Sequence, residues 1–130
     1  MTAGSSGLAI AASAWFCLLA ALLLTAGCSE AGATNVGGGS PDAGAIAIER
    51  MACGSCHRIP GIPNATGLVG PSLGHFARRR MIAGVVRNDR AQLVRYLLGP
   101  QTMVPGNAMP DQHLTARQAR DVTAYLMTLR

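Results

Sequence analysis

The sequence predicts an all-α domain over residues 41–130. Two observations support this fold class: N-capped stretches carry apolar residues at helical spacing, and no segment has a convincing strand pattern. The chain has 130 residues, a length typical of one domain. We therefore expect short helices joined by turns rich in glycine and proline, without internal repeats.

An apolar leader precedes this domain. The first 29 residues carry no charged side chain, and Leu8 to Gly27 is long enough, as a helix, to span a bilayer. An export signal is the main interpretation. Thr25-Ala26-Gly27-Cys28 resembles a lipobox, in which the cysteine becomes the lipidated first residue. Residues 1–28 are thus predicted to be a signal peptide, a lipoprotein signal or a membrane anchor, and these alternatives stay open.

Residues 29–40 are predicted to be a flexible linker. They are small or polar, with Glu30 as their one charged residue, and cannot bury a core. A flexible chain of this length has a root-mean-square reach of roughly 20 Å.

The first helix should begin at Ser40-Pro41. Serine is a good N-cap, and proline suits the first helical position because its missing N–H has no partner there anyway. We expect this helix to run into the cysteine-containing stretch that starts at Cys53. A short helical piece should follow within Leu73 to Met81.

Two further helices are predicted from their caps. Asp89, with Gln92 three residues on, should begin a helix that ends at Gly99-Pro100. A loop over residues 101–112 should separate it from the last helix, for which Thr115 and Gln118 form a capping box. The apolar face of that last helix comprises Val122, Tyr125, Leu126 and Leu129.

Charge and cysteine placement exclude some classes of protein. The formal net charge is +5, from eleven arginines and six acidic residues. No basic block is interleaved with aromatic residues, so we expect no nucleic-acid partner. The cysteines do not suggest a disulfide framework, since Cys17 and Cys28 lie in the leader and Cys53 and Cys56 lie close together in one motif.

That motif, Cys53-Gly54-Ser55-Cys56-His57, reads C-x-x-C-H, the attachment sequence for a c-type haem. Two thiols on one helical turn can each form a thioether with the same porphyrin, and the next histidine can bind the iron. A structural zinc site needs four ligands, and no second Cys/His pair stands at a suitable spacing. A redox-active dithiol would accompany a βαβ pattern, which is lacking. The motif therefore predicts one covalently bound haem c.

Four elements together resemble class I c-type cytochromes. In order along the chain they are Cys53-x-x-Cys56-His57, Gly70-Pro71-x-Leu73, the loop Pro105-Gly106-Asn107-Ala108-Met109-Pro110, and a terminal helix ending Tyr125-Leu126-x-x-Leu129. The resemblance covers about residues 42–130. Within the family the chain looks like the bacterial monohaem, membrane-associated domains found beside respiratory oxidases.

The resemblance implies a fold and a ligand set. Short helices would wrap around one haem, with the first and last helices crossing. Cys53 and Cys56 would hold the haem vinyl groups, and His57 would be the proximal iron ligand. The carbonyl of Pro71 would accept the His57 ring N–H and fix its tautomer. Met109 would be the distal ligand.

Several residues compete for these roles or supplement them. Met103, His75 and His113 are rival distal ligands by residue type. Arg78, Arg79 and Arg80, together with Asn88, are candidate partners of the haem propionates. The remaining methionines outside the leader, Met51, Met81 and Met127, are expected to pack in the core.

Ligation by histidine and methionine indicates the function. It closes both axial positions and raises the reduction potential, which suits a one-electron carrier of a respiratory chain. Expected partners are a terminal oxidase, a quinol-oxidising complex or a dehydrogenase, at the outer face of the bacterial cytoplasmic membrane or in the periplasm. The alternatives are a haem enzyme or gas sensor with a labile sixth site, and a structural cytochrome subunit of an oxidase complex.

Overall fold

The computed structural model describes residues 38–130. The predictions for the leader, residues 1–28, and for most of the linker, residues 29–40, lie outside the described residues. Within the described part no helix is long and apolar enough to cross a membrane.

The all-α prediction is confirmed, with one small addition. Helices α1 (Pro41–Arg50), α2 (Arg90–Leu98), α3 (Pro100–Met103) and α4 (Ala116–Leu126) are joined by irregular segments that contain the 3₁₀ turns Cys53–Ser55 and Phe76–Arg78. The addition is an antiparallel hairpin of β1 (Met81–Ile82) and β2 (Val86–Arg87), in which Ile82 is opposite Val86. Strands of two residues are too short to leave a periodic pattern in the sequence.

Helix α1 begins as predicted and ends earlier than expected. The Ser40 side chain accepts a hydrogen bond from the Ala43 N–H at 3.3 Å, and Pro41 is the first helical residue. The helix does not continue into the Cys53 motif. Ala52 adopts a left-handed backbone with φ of 52°, which breaks the helical path, so the motif forms a separate 3₁₀ turn.

Helix α2 also follows its predicted cap, because the Asp89 side chain accepts from the Gln92 N–H at 2.9 Å. The next residues differ from the expected loop. Pro100 begins the one-turn helix α3, since a proline that cannot continue one helix is well suited to start another.

Helices α1 and α4 pack against each other, as the resemblance implied. Gly44 makes the close approach possible, because a side chain there would meet the backbone carbonyl of Asp121. The Asp121 carboxylate accepts the Ser40 N–H at 2.8 Å and so ties the start of α1 to α4. At its own start, α4 has the predicted capping box of Thr115 and Gln118.

The core lies between these helices and beside the Cys53 motif. Its buried apolar residues include Ile48, Phe76, Leu93, Leu97, Val122 and Leu126. These same side chains form part of the wall of a large cavity, so the core is arranged around a space instead of filling it.

Candidate haem-binding site

The cavity has a volume of about 520 Å³, within the range of sites that enclose organic ligands. Its wall combines apolar residues of α1, α2 and α4 with the Cys53 motif and with loops on either side. Among the described lining residues Arg79 is the one with a permanent charge. Such a space suits a large, mostly apolar group with a polar edge.

The Cys53 motif supplies three chemically active side chains to this cavity. Cys53, Cys56 and His57 all line it, and the two cysteines are not joined in a disulfide. The 3₁₀ turn that carries them is closed by the His57 N–H, which donates to the Cys53 carbonyl at 3.0 Å. Burial raises the pKa of the Cys53 thiol above its usual value, a backbone hydrogen bond offsets part of this rise, and the nearby Cys56 adds to it.

Pro71 fixes the His57 ring. The Nδ1 atom of His57 lies 2.8 Å from the Pro71 carbonyl oxygen. Because a carbonyl can only accept, Nδ1 must carry the proton, and Nε2 is then the nitrogen left to bind a metal. The structure therefore brings together the two residues that the resemblance paired.

Two backbone hydrogen bonds hold the segment that contains His57 against the segment that leads to Pro71. Gly67 N–H donates to the Gly54 carbonyl at 3.0 Å, and Gly70 N–H donates to the Cys56 carbonyl at 2.8 Å. Gly70 lies so close to the His57 ring that an added Cβ would overlap it. The close approach of the two segments thus depends on glycine.

Met109 lines the cavity together with His57, whereas the rival distal ligands do not. Met103, His75 and His113 are absent from the described lining, so the residue types that competed in the sequence are separated in space. Met51 and Met127 pack against the core, as expected, and Met51 also lines the cavity. Met81 lines the cavity as well, but it is 42% exposed, so the prediction that it packs in the core is wrong.

Two amide side chains hold the Met109 loop, and sequence reasoning assigned neither of them a role. Asn107 Nδ2 donates to the carbonyls of Pro100 and Val104, at 2.9 and 2.7 Å. Asn107 Oδ1 accepts from the Met109 N–H at 2.8 Å and from the Tyr96 hydroxyl at 3.3 Å. A signal was present, because asparagine in a turn commonly binds backbone groups nearby.

Gln101 is the second of these amides. Its Nε2 donates to the carbonyl of Asn107 at 2.7 Å and to that of Met109 at 2.8 Å. Its sequence position offered no signal, because the pairing depends on the unpredicted helix α3.

Of the candidate propionate partners, Arg79 is the one at the cavity. Its guanidinium donates to the carbonyls of Ser72 and Gly74 and lies 5.5 Å from the centre of the Phe76 ring. Arg78 and Arg80 are exposed. Asn88 donates to the carbonyls of Phe76 and Arg79, at 2.9 and 3.0 Å, and does not line the cavity.

The residues present fit a c-type haem. Thiols for two thioethers, an imidazole with its Nε2 free and a thioether sulfur all border one apolar space. Soft sulfur and imidazole donors suit iron, and the apolar wall suits the porphyrin.

Comparison with known proteins agrees with this chemistry. Residues 42–130 match the Cytochrome c family. Cytochrome c2 of Rhodoblastus acidophilus is 35% identical over 103 residues, which cover 68% of this chain and 91% of that protein. Cytochrome c oxidase subunit 2 of Bacillus sp. (strain PS3) is 33% identical over 88 residues, which cover 65% of this chain and 25% of that subunit.

The chain therefore belongs to the cytochrome c family. It is a class I c-type cytochrome with covalently bound haem c. The chain spans about a quarter of the length of the oxidase subunit that it matches.

Proposed function

We propose that the protein is a one-electron carrier of a respiratory chain, with His57 and Met109 as the axial ligands of its haem. One observation carries this proposal: these two side chains border the same cavity, and Met103, His75 and His113 do not. Cys53 and Cys56 form the thioether bonds, and the Pro71 carbonyl orients the His57 ring at 2.8 Å.

The side chains of this site suit electron transfer better than catalysis. Haem c, when bound, supplies a couple that gains and loses one electron. His57 and Met109 would be the two protein ligands of its iron, would leave no ligand site for a substrate and would raise the reduction potential. The apolar wall would keep water from the metal.

Arg79 is the proposed partner of a haem propionate. It is the charged residue of the described cavity lining, and its guanidinium is already oriented by the carbonyls of Ser72 and Gly74. An arginine held in this way presents its remaining N–H groups to a carboxylate without losing further side-chain freedom. The Asn88 side chain donates to the Arg79 carbonyl at 3.0 Å and so holds the backbone of Arg79 in place.

A pair of methionine substitutions tests the ligand assignment. Met109→Ala should keep the covalent haem, because Cys53, Cys56 and His57 remain. It should lose the long-wavelength iron–sulfur absorption of the oxidised state, lower the potential and begin to bind carbon monoxide when reduced. Met103→Ala is the matched control and should show none of these changes. Loss of the band in Met103→Ala but not in Met109→Ala would reverse the assignment.

The same carbon monoxide measurement on the wild-type protein separates a carrier from a haem enzyme or gas sensor. A six-coordinate carrier should bind carbon monoxide slowly or not at all. Rapid binding by the wild-type protein would instead indicate a labile sixth site.

A terminal oxidase is the proposed partner. The support is that two of the relatives are named as subunit 2 of cytochrome c oxidase. A quinol-oxidising complex or a dehydrogenase would be the other redox partner of such a carrier. Stable co-purification with membrane subunits of an oxidase would point instead to a structural subunit of that complex.

The proposed location is the outer face of the bacterial cytoplasmic membrane. We propose residues 1–28 as the export and anchoring segment, residues 29–40 as a linker and residues 41–130 as the cytochrome domain. Lipidation at Cys28 would account for the sequence Thr25-Ala26-Gly27-Cys28. The intact mass of the native protein tests this: a mass that starts at Met1, or an unmodified soluble form, contradicts it.

A further inference from the structure

The loop that carries Met109 has little regular hydrogen bonding of its own. Pro105 and Pro110 lack an N–H, and among the described residues the one backbone–backbone hydrogen bond donated from the loop is that of Asn107 to Val104, at 3.2 Å. A loop of this kind adopts many conformations unless side chains restrict it. Its arrangement at the cavity therefore needs another cause.

Asn107 supplies part of that cause. A side-chain amide has two N–H donors and one oxygen that can accept two hydrogen bonds. In Asn107 all four positions are used, by the carbonyls of Pro100 and Val104, the Met109 N–H and the Tyr96 hydroxyl. Turning the amide over would place its oxygen against two carbonyl oxygens and its NH₂ group against the Met109 N–H, so its orientation is fixed.

Gln101 completes the arrangement from the other side. Its two N–H groups donate to the carbonyls of Asn107 and Met109, which are the residues on either side of Ala108. Asn107 in turn donates to the carbonyl of Pro100, the first residue of α3, and to that of Val104, the residue after its end. Helix α3 and the Met109 loop therefore hold each other through two reciprocal amides.

We infer that Gln101 and Asn107 form a clamp that keeps Met109 on the iron and so keeps the sixth coordination position closed. The inference rests on the proposed ligation by Met109. Gln101 and Asn107 are positioning residues, because they hold the backbone of Met109 and not the metal. Without the clamp, Met109 leaves the iron more often, and small ligands reach the vacant position.

Substitution of Gln101 tests the clamp in the holoprotein. Gln101→Met keeps the length of the side chain and removes both donors. It should retain the covalent haem and the helical circular dichroism. The oxidised-state iron–sulfur band should disappear at a lower denaturant concentration than global unfolding. Carbon monoxide should bind to the reduced protein about tenfold faster or more, since the loss of two neutral hydrogen bonds shifts an equilibrium by roughly that factor.

Gln92→Met is the matched control. Gln92 lies on α2 and is half-buried, and its side chain has no hydrogen-bond partner among the described residues. This variant should resemble the wild-type protein in both measurements. Gln101→Glu is a second test, because it keeps the size and shape of glutamine but faces the two carbonyls with a group that cannot donate when ionised.

Every result of these measurements on the Gln101 variants either supports or overturns the clamp. A selective loss of the iron–sulfur band with faster carbon monoxide binding in both Gln101 variants supports the clamp. Unchanged behaviour in Gln101→Met overturns it, and so does global unfolding of both variants, which would make Gln101 a residue of the fold alone. Failure of the ligation itself is recognised separately, because Met109→Ala would then keep the band.

Discussion

The two sides of the haem cavity are held in different ways. On the His57 side, residues 53–73, the segments are joined by backbone hydrogen bonds such as those from Gly67 and Gly70. On the Met109 side, residues 96–110, the loop is held by the side-chain amides of Gln101 and Asn107. Backbone hydrogen bonds tolerate most substitutions except at the glycines, whereas side-chain hydrogen bonds are lost when a single residue is substituted.

This difference indicates which of the two proposed iron ligands, His57 or Met109, is fixed more firmly. Backbone hydrogen bonds and the Pro71 carbonyl set the position of the His57 ring. The Met109 loop and helix α3 depend on two amides, so we expect this side to open locally before α1, α2 and α4 unfold. In the carrier that we propose, Met109 is therefore expected to leave the iron before His57 does as denaturant is added.

The largest effect is expected at Gly70. Gly70→Ala should destabilise the holoprotein by about 3 kcal/mol, because the added methyl overlaps the His57 ring while the N–H bond to Cys56 keeps the backbone in place. Denaturant unfolding measures this. Gly74→Ala is the matched control, since its Cβ would lie at an ordinary distance of 3.5 Å from the Ser72 hydroxyl. Equal effects of the two substitutions would contradict the importance of the close approach.

A smaller loss is expected at Asn107. Asn107→Leu removes four hydrogen bonds and should lower the free energy of unfolding by roughly 2–3 kcal/mol. Tyr96→Phe removes only one of the four and should cost about 0.5–1 kcal/mol. If Tyr96→Phe cost as much as Asn107→Leu, the hydroxyl and not the amide would organise the loop.

Alkaline pH should lower the free energy of unfolding, because a tyrosine on each side of the cavity ionises. Burial raises the pKa of Tyr96, and burial followed by the nearby Glu49 raises that of Tyr125, in both cases above the usual value of 10.0. The unfolded chain then loses these protons at a lower pH than the folded protein. The resulting stabilisation is complete below pH 10.0 and is lost as the pH rises through the folded pKa.

Phenylalanine variants separate the two contributions. Tyr96 donates to Asn107 on the Met109 side, and Tyr125 donates to the Pro60 carbonyl at 2.7 Å on the His57 side. Tyr96→Phe and Tyr125→Phe should each reduce the steepness with which stability falls above pH 10. A slope that stays the same in the double variant would show that other groups cause the fall.

The smallest expected effect is on the rate at which the protein docks with a redox partner. No Arg, Asp or Glu lies within residues 59–77 or 96–110, so we expect flanking arginines such as Arg58, Arg78 and Arg80 to guide an acidic partner. Replacing Arg78 and Arg80 together by glutamine should slow the bimolecular reaction with an acidic redox partner about twofold to fivefold at low salt. Arg117→Gln is the control. A wild-type rate that is indifferent to ionic strength would reject electrostatic guidance.

The sequence predicted the parts of the fold that depend on neighbouring residues. The caps at Ser40, Asp89 and Thr115 are local features, and the structure confirms them, whereas the last helix ends at Leu126, before the predicted Leu129. The left-handed Ala52 and the β-hairpin were missed, because alanine carries no signal for such a backbone and strands of two residues show no period.

For the candidate site, residue types could be predicted but not the supporting contacts. The C-x-x-C-H motif and the Met109 loop are visible as patterns, and their assigned roles stay predictions. The pairing of Gln101 with the Met109 carbonyl depends on the position of α3, which the sequence suggested to be a loop. Contacts between side chains and distant backbone are set by packing, so no local rule reveals them.

The complete hydrogen bonding of Asn107 should affect the rate of electron transfer. Electron transfer is slowed when polar groups must reorient as the charge of the metal changes by one unit. All donor and acceptor positions of this amide are already occupied, and Gln101 is held by two carbonyls. Dipoles fixed in this way cannot turn to follow the charge, and preorganised groups add little reorganisation energy. In the carrier that we propose, the amides that hold the loop should thus also give the oxidised and reduced forms almost the same surroundings.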